Sequence, residues 1–142
     1  MSIFKPHGSF KAHVQGRVLI AHCRGSWNIE MHQEQGRQSQ ALVETLEQGG
    51  NWGSVVVVHD SLVSSLAVLE AGRLAVENMP SPRKLVALAW VIAPTVEGYS
   101  LLKGRYARMY EGLLQTRTFD NEAGAVYWIE KMITEAPKAN AA

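Results

Sequence analysis

Apolar and polar positions change their period several times along the chain, and each change predicts an element. SFKAHVQ (9–15) alternates, with Phe10, Ala12 and Val14 on one side, the pattern of a half-buried edge strand. Gly16 and Arg17 turn it into VLIAHC (18–23), an apolar run suited to a strand covered on both faces. RGSW breaks that strand, and Ser26 or Asn28 is placed to cap a helix reaching about Gln48. This helix begins polar, becomes apolar at Leu42, Val43 and Leu46, and stops at GGNWG, where glycine supplies the positive φ of a helix end.

SVVVV (54–58) is the clearest central strand, β-branched and apolar on both faces. Leu62, Leu66, Leu69 and Val76 fall near helical spacing and predict a helix from about Leu62 to Asn78, ended by the prolines of MPSPRK. LVALAWV (85–91) reads as a third buried strand. Pro94 suits the first turn of another helix, carrying Tyr99, Leu102, Tyr106 and Met109 at i+3 and i+4 steps. LLQTRTF (113–119) alternates again as the opposite edge. Asp120 reads as the cap of a last helix with Ala123, Val126, Ile129 and Ile133 inward, followed by a flexible tail after Glu135.

The predicted order is β-β-α-β-α-β-α-β-α over a single domain, 1–142, with its core at about 9–135. Strands alternating with helices imply right-handed crossovers and a five-stranded, mostly parallel α/β sheet. The tight first turn makes the N-terminal strand antiparallel. Crossovers of one hand place their helices on one sheet face, yet the middle strands are apolar on both. A bare apolar face would need covering by a second copy or a partner, and a homodimer is expected.

In such a sheet, ligands bind outside the carboxyl ends of the strands. The loops meeting there carry Arg24, Ser26, Trp27, His59, Asp60, Ser61, Thr95, Glu97 and Tyr99. His59-Asp60-Ser61 suggests a hydrolase, but three consecutive residues do not form a relay, and no G-x-S-x-G elbow is present. The plainer expectation is that Asp60 or Ser61 caps the helix at Leu62. Trp27 and Trp52, beside glycines, are candidates to wall a pocket or an interface.

Composition narrows the remaining classes. With 46% hydrophobic and 19% charged residues the chain is an ordinary globular one, and a net charge of +1 argues against a nucleic-acid partner. LLKGRYARMY interleaves cations with tyrosines, but those tyrosines sit on the apolar helical stripe. His7, His13, His22, His32 and His59 lack metal-ligand spacing, and Cys23 is the only cysteine. No metal or cofactor is therefore expected, and Cys23 reads as a small core residue. LVALAWVIA (85–93) is too short to span a bilayer, and MSIFKPHGSF lacks a signal-peptide core. A cytoplasmic protein without an integral membrane segment is expected.

The element order, the Asp-Ser corner after an all-apolar central strand, and the closing FDNEAGAVYWIEKM together resemble the STAS superfamily, and within it the SpoIIAA-like branch, over about residues 9 to 135. In the antagonists of that branch the corresponding loop reads Asp, Ser or Thr, Ser or Thr, Gly, and the second hydroxyl accepts phosphate. Asp60 and Ser61 match the first two positions, but Leu62 stands at the phosphoacceptor position and Val63 replaces the glycine. The switch does not carry over as written; Ser61, or Ser64 and Ser65 a turn later, are the hydroxyls left to replace it.

The resemblance, together with the absence of a complete catalytic set, implies a non-enzymatic regulatory or protein-interaction module; strand order places its binding residues among Arg24, Trp27, His59, Asp60, Ser61, Thr95 and Tyr99, with Ser61 as the candidate phosphoacceptor. The alternative is a small apolar or amphipathic, lipid-like ligand held where helices 62–79 and 96–110 part over the sheet. An enzyme using His59 or Cys23 ranks below both.

Overall fold

The computed structural model describes residues 9–25, 27–64 and 66–138. Ser26 and Ser65, and the chain ends at 1–8 and 139–142, lie outside them. The strands are β1 (Ser9–Gln15), β2 (Val18–Arg24), β3 (Trp52–His59), β4 (Leu85–Ile92) and β5 (Gln115–Phe119). The helices are α1 (Ile29–Gln48), α2 (Leu66–Glu77), α3 (Tyr99–Ala107) and α4 (Glu122–Glu135). They form one α/β unit with a five-stranded sheet in the order β1-β2-β3-β4-β5, where only β1 runs antiparallel to its neighbour.

Stepping always in one direction keeps α1, α2 and α3 on one face, as right-handed crossovers require. That face holds Leu19, Leu88, Trp90, Tyr106 and Tyr110. After the edge strand β5 the chain returns beneath the sheet, and α4 seats Ala125 and Ile129 against Val18, Ile20, Val55, Val57, Ala87, Ala89 and Val91. The second face is thus closed by the chain itself. This removes the bare apolar patch on which the expectation of a homodimer rested.

Several element boundaries differ from the sequence reading, for local reasons. Asn28 does cap α1, its side chain accepting from Met31 N–H at 2.9 Å. The left-handed glycine after α1 is Gly50, at φ +107. At α4 the cap is Asn121 rather than Asp120, since Asn121 Oδ1 accepts from Gly124 N–H at 2.7 Å. Within α4, Ala123 is exposed and Ala125 is buried, the reverse of the expected inward position of Ala123. Trp52 is not in a loop; it opens β3 and is buried. The tail is anchored as far as Pro137, whose carbonyl accepts from the Asn51 side chain at 2.7 Å.

The largest departure is at 60–64. Helix α2 starts at Leu66, not Leu62, because the preceding backbone groups are already paired with other loops. Leu62 N–H donates to Glu97 O at 2.8 Å, Glu97 N–H to Asp60 O at 2.8 Å, and Trp27 N–H to Val63 O at 3.1 Å. Residues 60–64 are therefore an extended strap between the loop after β2 and the loop after β4. The same pairing delays α3: residues 93–98 form a turn, Gly98 adopts φ +83, and Pro94 precedes the helix instead of opening it.

Candidate functional site

The strap closes one end of a cavity of about 170 Å³ between the sheet and the three helices on its upper face. Cys23 of β2, Val56 of β3 and Trp90 of β4 form part of the floor, His32 comes from α1 and Val68 from α2, and Tyr106 comes from α3. The strap contributes Ser61, Val63 and Ser64, and Trp27 stands beside it. Strand alternation determines this membership: side chains on β3 point up and down in turn, so Ser54, Val56 and Val58 face the cavity while Val55 and Val57 face α4.

A short hydrogen-bond chain ties the strap to the wall. The Tyr106 hydroxyl donates to Leu62 O at 2.7 Å, which commits its one proton, so Ser64 Oγ donates to Tyr106 at 2.7 Å. Ser61 is buried; its Oγ donates to Glu97 Oε1 at 2.8 Å and accepts from Val63 N–H at 3.0 Å. This local turn at Ser61, rather than a helix cap, is the work of the Asp-Ser corner. Asp60 makes the bend possible with φ +68, a left-handed conformation that Asp tolerates better than most residues.

A second cluster lies on the opposite face of the same strand ends. His22 Nδ1 and His59 Nε2 are 2.9 Å apart, and His22 Nε2 lies 3.2 Å from Glu122 Oε1 at the start of α4. The imidazole planes differ by only 18°, with centroids 5.1 Å apart, so the rings meet edge to edge. Facing nitrogens in that arrangement share a proton; their lone pairs do not converge on a third point as metal ligands must. With Glu122 accepting from His22 Nε2–H, His22 Nδ1 is left to accept from His59 Nε2–H, and His59 Nδ1 carries the terminal lone pair. Burial holds His59 below the ordinary imidazole range, and the positive potentials of Arg24 and His22 act the same way against the opposing pull of Asp60 and Glu122. Among the described residues no group of three His, Cys, Asp or Glu side chains is arranged to hold a metal ion.

The expected binding set is thus divided. Trp27 and Ser61 line the cavity. His59 joins His22 below the sheet, with Arg24 beside it in the β2–β3 register. Asp60 and Thr95 are exposed on the loops, and Tyr99 pairs with Lys103, whose Nζ donates to its hydroxyl at 2.9 Å. His22, Glu122, Cys23, His32, Trp90 and Tyr106 were not in that set. Cys23 and His22 had a usable signal, since neighbours on a strand must serve opposite faces; Glu122 had none, because only the return of α4 beneath the sheet brings it there.

No protein-family model matches the chain, and no curated protein matches it. Among the described residues no helix is long and apolar enough to cross a membrane.

Proposed function

We propose that this domain is a non-enzymatic binding module that holds a small apolar or amphipathic molecule in the cavity between the sheet and α1, α2 and α3. The carrying observation is the cavity itself, between the upper face of the sheet and its three helices, with the strap at the carboxyl end of β3 on one side and walled mainly by apolar and aromatic side chains. The strap forms one wall, so occupancy of the cavity bears directly on the position of Asp60 and of the loops that the strap joins. A SpoIIAA-like ancestry agrees with this reading: the segment that carries the phosphoacceptor in the antagonists here encloses a pocket. The corner's own hydroxyl, Ser61, is turned to Glu97 and not to His59, which favours binding over hydrolysis.

Native mass spectrometry of the protein purified from its own host tests the proposal. One small molecule per chain, lost on denaturation, is the expected result. A bare chain whose Tm does not respond to any small apolar compound would end it. A protein-partner reading is favoured by one observation, the exposed side chains of Val63 and Leu66 on either side of the Ser64–Ser65 step. Extra mass that survives denaturation and maps to Ser61 or Ser64 would turn the proposal toward a phosphorylated regulator of that kind.

A further inference from the structure

Tyr110 follows α3 and lies flat over Trp90, their ring centroids 6.5 Å apart and their planes within 16°. Its hydroxyl reaches across to α2: a Cβ added at Gly72 would lie 3.4 Å from the oxygen. Tyr110, Gly72 and Met109 all line the cavity. The other wall hydroxyls are accounted for differently. Tyr106 and Ser64 bond to one another and to Leu62 O, and Ser61 bonds to Glu97. Ser54 is short enough to turn back to neighbouring backbone. His32 and Gln35 are only half-buried, where water can serve them.

The Tyr110 hydroxyl stands a ring's length from its own backbone and is more than nine-tenths buried with its residue. Among the described residues it has no hydrogen-bond partner, and burial alone pushes its phenol up to about 12. It is not sealed in: the polar side-chain atoms that are both sealed and unpaired are Trp27 Nε1 and Trp90 Nε1, so the Tyr110 oxygen keeps surface that an occupant can touch. Buried hydroxyls are nearly always paired, and this one calls for a partner from outside the chain. Charge and size set two further limits. Among the described residues, no Lys, Arg, Asp or Glu lines the cavity, so a charged molecule would lose its water without gaining a counter-charge. The volume, about 170 Å³, is close to that of the roughly 150 Å³ engineered cavity that admits benzene.

We infer that the ligand is an uncharged molecule of about one ring in size, bearing an acceptor oxygen that takes the hydrogen bond of the Tyr110 hydroxyl beside Gly72. This rests on the pocket reading above. A carboxylate brings a charge that nothing in the wall answers, and a pure hydrocarbon leaves the hydroxyl unpaired.

Three probes of matched size separate these properties: acetophenone, ethylbenzene and benzoate, titrated into the intact chain and followed by NMR shifts of the Met109 methyl signal. Acetophenone is expected to bind about tenfold more tightly than ethylbenzene, the factor that one net hydrogen bond supplies, and benzoate most weakly. Tyr110→Phe keeps the ring over Trp90 and removes only the hydroxyl. It should bring acetophenone down to the level of ethylbenzene while leaving ethylbenzene binding in place, and Ser54→Ala should leave the preference intact. Equal affinity for acetophenone and ethylbenzene in the parent chain, the result expected if water serves the hydroxyl, overturns the inference and leaves the pocket reading standing. A preference for benzoate, or a preference for acetophenone that survives Tyr110→Phe, does the same. No binding of any probe at millimolar concentration overturns both. The ranking in the parent chain keeps the inference open to refutation even if a variant does not fold.

Discussion

The two faces of the sheet are built from the same strands yet packed in opposite ways. Below, small residues (Gly53, Ala87, Ala89 and Ala125) let α4 sit close, and a Cβ added at Gly53 would lie 2.4 Å from Ile129 Cγ2. Above, Leu88, Trp90, Tyr106 and Tyr110 are bulkier, but the helices they support enclose a hollow. The lower face is filled by α4 against its alanines, valines and isoleucines, whereas on the upper face a hollow is left among Cys23, Ser54, Val56, Val68 and Trp90.

The comparison can be tested at single residues. Ile129 is fully buried at the tight face, and Ile129→Ala should lower stability by about 2–5 kcal/mol in urea unfolding. A loss much below that range would mean that α4 is held more loosely than its packing implies. On the cavity side, Cys23 should be nearly inert. With its thiol raised from 9.0 to about 12, the thiolate fraction at pH 8 is about a thousandfold below that of the unfolded chain, and labelling by a disulfide reagent should slow accordingly. Fast labelling of the native protein would show that the cavity floor is wet.

Two glycines give the most direct contrast. At both Gly53 and Gly72 an added Cβ meets a neighbour at 2.4 Å, Ile129 Cγ2 in the first case and Met109 Cε in the second. Ile129 has nowhere to move, so Gly53→Ala should cost about 1–3 kcal/mol. Met109 lines the cavity, and its terminal methyl can swing into it. Gly72→Ala should therefore leave stability unchanged or raise it by up to about 1 kcal/mol through helix propensity, while weakening ligand binding. If the two variants lost stability equally, the difference between the faces would be gone.

The smallest effect is expected from pH. His59 and His32 both lie below the ordinary imidazole value of 6.5 in the folded protein, so the unfolded chain takes up these protons first as pH falls. Their contribution is complete above about pH 6.5 and is lost as pH drops through the folded values. Urea midpoints should accordingly fall between pH 7.5 and pH 5.5, and His59→Gln and His32→Gln should each flatten that fall. A midpoint that rose on acidification would contradict the sign for both.

Much of the architecture was legible because it rests on periodicity. The alternation of Phe10, Ala12 and Val14, the valines at 55–58 and the run at 85–91 report burial on one face or two, and burial of that kind sorts edge strands from central ones. The 60–64 segment was misread for the same reason. Leu62, Leu66 and Leu69 keep a helical spacing, but Leu62 belongs to the strap, its side chain buried and its N–H paired to Glu97 O. Side-chain spacing records which residues are buried, not which backbone partners have already been taken. The candidate site was half legible: the loops were located by strand order, whereas Trp90 and Tyr106 looked like ordinary core.

What the sequence determined by itself was the element order and the mostly parallel sheet with its antiparallel first strand, since these follow from local periodicity and the handedness of crossovers. The tertiary structure alone decided that α4 closes the lower face and brings Glu122 to the His22–His59 pair, and that the strap encloses a hollow rather than starting a helix. Each of these depends on contacts between segments far apart in the chain. No local pattern encodes how far a helix will stand from a sheet until the side chains between them have met.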